Sequence, residues 1–333
     1  MKKYLWGLIY GIFLTAFTIY VLLDTFVITR VYSRENSIDN YFSVNETDSK
    51  SGYDDGNRYD NGSGNNSSNG SNNNSSNNSG NSSDNDINVT ISDSNSYKDN
   101  NISITVTEYR SNNTSVYVAD VKISSPEYLK TAFAHNSYGK NVTQKTSEIA
   151  INNGAILAIN GDYYGVQEKG YVLRNGTLYR RTAVKGNEDL VIYKNGAFSI
   201  INENEISAEQ LLSNNAMHIL SFGPALVTNG TISVSVGEEV GKAMTSNPRT
   251  AIGIIDDLHY IFVVSDGRTS SSEGLTLYQL AEFMQSMGAV TAYNLDGGGS
   301  STMYFNGKVV NNPTTNGKSI AERSVSDIVY IGY

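Results

Sequence analysis

The chain has 333 residues, no cysteine and a formal net charge of −9. The missing cysteines exclude disulfides, thiolate catalysis and cysteine zinc sites, and the acidic balance speaks against a nucleic-acid partner, whose phosphates are bound by basic surfaces. Apolar residues make up 39%, a low share caused by a local excess of Asn, Ser and Gly.

The N-terminus carries Lys2 and Lys3, then an uncharged stretch from Tyr4 to Leu23, with Asp24 the first charge afterwards. A run of about 20 apolar residues at helical rise spans a bilayer core. Trp6 and Tyr4 stand near one end, where aromatic rings favour the interface. A cleaved signal peptide is the rival reading, but no A-x-A-like cleavage site follows Leu23. The expectation is a single-pass anchor over residues 1–30 in the cell membrane, with the N-terminus inside and the bulk of the chain outside. The positive-inside bias is nearly balanced, because Arg30 and Arg34 follow the span; the exported character of the next segment decides the orientation.

Residues 31–100 are expected to be a disordered linker. NGSGNNSSNGSNNNSSNNSGNSSDND contains no aliphatic or aromatic residue, so it cannot bury enough apolar surface to offset its ordering entropy. Its role is then a flexible tether lifting a domain off the membrane.

A folded domain is expected over 101–333. ISITVTEYR and SVYVADVKI alternate apolar and polar residues and read as strands. VLRNGTLYR, VIYKNGAFSI, LVTNGTISV and MYFNGKVV each place Asn-Gly between alternating segments, which predicts β-hairpins. Helices are fewer. Thr276 and Gln279 have capping-box form before an apolar face of Leu277, Leu280, Ala281 and Met284, and Gly288 stops that helix. Ser207 and Gln210 repeat the box, and another helix ends at Gly154. The fold class is therefore α+β: a mixed β-sheet domain with several hairpins and a few helices, preceded by one transmembrane helix and a disordered linker.

Three apolar strands end in polar residues. AILAINGD delivers Asn160 and Asp162, YIFVVSDGR delivers Asp266 and Arg268, and AVTAYNLD delivers Asn294 and Asp296. Any one of these is an ordinary turn; three, two of them sharing Asn-x-Asp, point to a site at the strand ends. Gly297, Gly298 and Gly299 follow Asp296 and permit backbone close to a ligand, where successive N–H groups can form an anion nest. Ser300 and Ser301 read as hydroxyl donors, because G-x-S-x-G is absent. Arg249, Arg268 and Arg323 adjoin these loops and suit a phosphate, or else balance buried acids such as Asp296, Asp327 and Glu322. His135, His218 and His259 form no zinc motif.

Taken in order, AINGDYY, FGPALV, PRTAIGI, VVSDGR, GLTLYQLAEFMQSMGA, NLDGGGSSTM and ERSVSDIVYI resemble the phosphodiester glycosidase family, strongly from Ala155 to Tyr333 and weakly from Asn101 to Gly154. The resemblance implies an α+β hydrolase that cleaves the bond between a sugar's anomeric carbon and a phosphodiester, here on a cell-surface or extracellular glycoconjugate or polysaccharide. It implies a site of Asn160, Asp162, Arg249, Asp266, Arg268, Asn294, Asp296, Gly297, Gly298, Ser300, Glu322 and Arg323. A carboxylate should act as nucleophile or activate water; Asp162, Asp296 and Glu322 are the catalytic candidates, and the others would bind sugar and phosphate. No cofactor is required by this chemistry, although carboxylates at strand ends also suit Ca2+. The other class of reading is a non-catalytic surface module that binds or helps assemble a polysaccharide.

Overall fold

The computed structural model of the protein describes residues 2–32, 91–92, 95–239 and 246–333. Most of the expected linker lies outside these residues. Residues 1–34 and 89–333 group into one compact unit.

The helix Lys2–Phe26 carries the N-terminal apolar run. Its window Ile9–Phe26 has mean hydropathy 1.7 and none of it is buried among the described residues, so length and composition suffice to cross a membrane, as they would for a signal sequence.

The remainder is a sheet-dominated α+β fold. A nine-stranded sheet is joined by two five-stranded sheets. The pairings that position the site are antiparallel. The period-two alternation expected for the first strands is what splits the large sheet's two faces. Tyr117, Ala119, Tyr260, Phe262 and Val264 face a core shared with Leu157, Ile159, Leu190 and Val329 of the smaller sheets. Val116, Val118, Ile261 and Val263 face the other way and are covered by the helix Leu277–Ser286. That helix buries Leu277, Leu280, Ala281 and Met284 and starts in a Thr276–Gln279 capping box. Gly288 follows it with φ +88°. The Ser207–Gln210 box likewise opens Ala208–Ser213. The helix Thr146–Asn152 ends before Gly154, φ +62°.

Three of the Asn-Gly turns have both residues at positive φ: Asn175–Gly176, Asn229–Gly230 and Asn306–Gly307. In the remaining one only Gly196 does, and Gly196 N–H donates to the Tyr193 carbonyl. That is the three-residue hairpin in which glycine closes a type I turn.

The sheet also takes in residues ahead of Asn101. Ser96–Lys98 pairs with Ser103–Thr105, and Ile91–Ser92 pairs with Tyr97–Lys98. Farther upstream, Arg30–Val31 pairs with Gly139–Lys140.

Candidate functional site

Register brings the site together. Arg249 opens the strand Arg249–Asp256 and lies across from Ser265 on one side, while Thr250 lies across from Leu295 on the other. Because the central strand runs against both neighbours, its first residue meets their last ones. Asp266 and Asp296 therefore emerge on either side of Arg249. On the adjoining sheet, Asn160 ends the strand Leu157–Asn160. Its Nδ2 donates to the Asp296 carbonyl (2.7 Å), and its Oδ1 accepts from Thr250 Oγ1 (2.8 Å) and Thr302 N–H (3.2 Å). Asn160 is thus a buried cross-link between sheets, with its amide group spent on the protein.

Asp296 has a different environment. Its Oδ2 accepts from Ser300 Oγ (2.6 Å) and from Arg323 Nη2 (3.1 Å), and Arg323 Nε also reaches Ser300 Oγ (3.0 Å). Burial pushes the Asp296 carboxyl above the usual carboxylate range, with Arg323 and Ser300 pulling it partly back. The Arg323 side chain is 40% exposed against 12% for Asp296, so the guanidinium is the solvent-facing member of the pair.

The glycines are there for close approach. Gly298 sits at φ +62°, and a Cβ on it would lie 2.8 Å from Arg268 Nη2. A Cβ on Gly297 would lie 2.9 Å from the Pro248 carbonyl and 4.0 Å from Arg249 Cδ. Arg323 Nη2 lies 3.4 Å from the Gly297 carbonyl. Two guanidiniums, of Arg268 and Arg323, therefore reach one turn, and the Arg249 side chain passes beside it. Part of the expected anion nest is spent within the protein. Gly298 N–H donates to the Pro248 carbonyl (2.8 Å), Ser300 N–H to Gly297 and Ser301 N–H to Gly298. The Arg268 and Arg323 side chains add positive charge beside it.

Arg249 is paired with Glu239 (2.6 Å), and its Nε donates to the Leu275 carbonyl. Arg268 donates to Asn247 Oδ1 and to the Thr315 carbonyl, and no carboxylate pairs with it among the described residues. Burial lowers its pKa, and the neighbouring Arg323 and Arg249 charges lower it further. An anion placed here would relieve that repulsion.

The remaining candidates are engaged elsewhere. Asp266 holds the Asn311–Asn312 loop, with Oδ1 accepting from Asn312 N–H (2.8 Å) and Oδ2 from Asn312 Nδ2 (2.9 Å). Glu322 binds Ser147 N–H (3.0 Å) and Ser147 Oγ (2.5 Å) in the first turn of the helix Thr146–Asn152. Asp162 is fully buried and shares Arg174 with Asp327, both at 2.8 Å, while Ser221 N–H also donates to it (2.8 Å). Burial and the Asp162 charge push Asp327 up to about 7. Asn294 donates to the Gly223 carbonyl (2.7 Å), and its Oδ1 is buried without a hydrogen-bond partner. Gly223 belongs to a cleft of about 410 Å³ lined by Asn187, Glu188, Phe222, Pro224 and Glu239. Asn294 and the Glu239–Arg249 pair thus connect that cleft to the glycine turn.

Sequence reasoning missed Arg174, Glu239, Asn247 and Thr315. Arg174 carries a signal, a charge ending the apolar run Val172–Leu173. The other three show none, because their roles are set by what reaches them from distant loops. Among the described residues no three His, Asp or Glu side chains converge to hold a metal ion.

Cationic side chains and a desolvated aspartate thus gather at the strand ends of a β-rich α+β domain. The profile of one family, phosphodiester glycosidase, matches residues 153–332, and the chain belongs to that family. It is 31% identical over 193 residues to the SPbeta prophage-derived uncharacterized protein YomE of Bacillus subtilis (strain 168), covering 57% of this chain and 28% of the relative. It is 28% identical over 184 residues to N-acetylglucosamine-1-phosphodiester alpha-N-acetylglucosaminidase of Mus musculus, covering 50% of this chain and 35% of the relative. The match therefore takes in about a third of each relative or less. The catalytic domain of the zebrafish enzyme of that name shares the fold, with a TM-score of 0.55, 22% identity, and coverage of 70% of this chain and 83% of that one.

Proposed function

We propose that the domain hydrolyses the bond between a sugar's anomeric carbon and the phosphate of a surface or extracellular glycoconjugate. The observation that carries this reading is the approach of the Arg268 and Arg323 guanidiniums to the Gly297–Ser300 turn in a chain of net charge −9. Arg268 and Arg323 would bind the phosphate by charge-assisted hydrogen bonds. When the bond from the anomeric carbon to the phosphate oxygen breaks, its electron pair leaves with the phosphate, and the guanidiniums stabilise that charge. Water adds to the anomeric carbon and gives its proton to a carboxylate. Asp296 is the carboxylate beside the arginines, and burial raises its basicity. In this reading Asp162 and Glu322 hold the frame, and the sugar occupies the cleft beside Phe222 and Asn187. No step in this reading calls on a metal, so a chelator should leave turnover unchanged; turnover lost with a chelator would favour Ca2+ at the strand-end carboxylates.

Relatives named for phosphodiester cleavage support the substrate class. The apolar helix Lys2–Phe26 supports a membrane anchor, and the Asn/Ser-rich segment after it supports the outer side for the domain. The test is phosphate-ester release from a sugar-1-phosphodiester by the full chain. Arg323→Ala should cost about 2–4 kcal/mol of transition-state stabilisation, and much less on an uncharged aryl glycoside. Asp296→Asn should lower turnover by orders of magnitude on both substrates with the melting temperature nearly kept. Equal loss on both substrates in Arg323→Ala would overturn the phosphate assignment. Saccharide binding without any turnover would establish the non-catalytic polysaccharide module instead.

A further inference from the structure

The end of the apolar helix is attached to the folded domain by more than chain connectivity. Phe26 ends the helix and Arg30 begins a strand that pairs with Gly139–Lys140 in register, Arg30 across from Lys140 and Val31 across from Gly139. Tyr32 N–H continues the ladder to the Tyr138 carbonyl (2.9 Å), and the Tyr32 and Tyr138 rings lie 5.7 Å apart. Asn141 reaches back to the helix itself, its Nδ2 donating to the carbonyls of Thr25 (3.2 Å) and Ile28 (3.0 Å). Those carbonyls stand at the helix C-terminus, where intrahelical donors run out. Gly139 is the residue that lets the strand in: a Cβ there would collide with the Arg30 carbonyl and lie 2.8 Å from Val142 Cγ2. Arg30 is four Cα steps beyond Phe26, at most about 14 Å even when extended.

Both flanks of residues 33–90 are therefore held on one folded unit, Tyr32 at Tyr138 and Ile91 at Lys98. A tether would have its far end on the domain and its near end on the anchor alone. We propose that Arg30–Tyr32 clamp the domain to the foot of its own helix, seating the face around Gly139–Asn141 and Glu168–Lys169 against the headgroup layer of the membrane. This rests on the helix being a retained anchor. The Asn/Ser-rich segment then leaves and rejoins the same domain and does not set its height above the bilayer, contrary to the tether expected from composition. Lys140 is buried on this face with its charge met by Glu168 (2.9 Å), so the seat follows from the short connection to the helix and not from charge attraction.

The absence of native cysteine makes the test clean. In the full chain reconstituted in phosphatidylcholine/phosphatidylglycerol vesicles, Arg30→Cys with Lys140→Cys should form a disulfide under mild oxidation, because antiparallel partners lie within about 4.5–5.5 Å at Cα. A mismatched pair, Arg30→Cys with Asn195→Cys, should react at least about ten-fold more slowly. A dye on Lys169→Cys should transfer energy to a headgroup acceptor, and a second copy of residues 61–86 should leave that transfer unchanged. Gly139→Ala should abolish both the fast disulfide and the transfer while phosphodiester turnover persists. Equal reaction rates for the two cysteine pairs, or transfer that falls with the longer segment, would overturn the clamp. If mass analysis finds the mature chain starting after Val27 while the disulfide still forms, the anchor reading fails and the membrane seat with it, although the strand pairing stands.

Discussion

At the scale of single residues, Gly298 meets two demands together. Its φ of +62° lies where a side chain is strained, and the space a Cβ would take is held by the Arg268 guanidinium. Gly298→Ala should cost about 1 kcal/mol from backbone strain alone. It should also push Arg268 away from the turn, so KM for a phosphodiester should rise by more than the stability loss explains. Thermal unfolding and steady-state kinetics on the same preparation check this; an unchanged KM would mean Arg268 is not aimed at the substrate. That the glycine run is special was legible from NLDGGGSS, because three adjacent glycines beside an acid are costly in a folded segment. Why it is special was not. Sequence suggested an N–H nest, whereas the N–H of Gly298 is spent on Pro248 and the guanidiniums supply the charge.

At the scale of elements, Glu322 and the helix Thr146–Asn152 behave as a unit. A carboxylate on the first-turn N–H and hydroxyl of Ser147 satisfies a donor that lacks an intrahelical partner and complements the helix dipole. Glu322→Gln should therefore lower stability by about 1–2 kcal/mol and leave turnover within a few-fold well below the melting temperature. A drop of several orders of magnitude with an unaltered melting temperature would return Glu322 to the reacting atoms. The two capping boxes, the helix stops at Gly154 and Gly288 and the Asn-Gly hairpins were readable in advance, since each is decided by residues within a few positions. The partner of Glu322 lies 175 residues away, so no local pattern announces it.

At the scale of the whole molecule, the buried acids tie stability to pH. Asp189 is fully buried, lies against Glu203 and is pushed up to about 9, chiefly by burial and next by the Glu203 charge. The folded chain therefore keeps a proton on Asp189 between its ordinary pKa of 3.8 and about 9, while the unfolded chain releases it. The unfolded state binds fewer protons across that window, so stability falls as pH rises through it. Asp189→Asn keeps the shape without the titration. Its melting temperature should fall less than that of the unaltered chain between about pH 5 and pH 9; parallel curves would show that Asp189 is ionised in the folded state.

By itself the sequence determined the apolar N-terminal run, the α+β class, the hairpins and caps, and the strand ends that carry polar residues. All of these rest on periodicity and on interactions between near neighbours, which a linear pattern encodes directly. Only the tertiary structure decided how the polar residues divide. Register placed Arg249 between Asp266 and Asp296, leaving Asp296 beside Arg323, while Asp162 was drawn into the closed pair with Arg174 and Asp327. It likewise decided that Arg30 and Val31 join the domain through Gly139. An acid becomes reactive or structural according to which charges and donors surround it, and those arrive from other segments, 27 residues on for Asp296 and Arg323 and 153 for Arg174 and Asp327, so their convergence is a property of packing that composition and spacing do not contain.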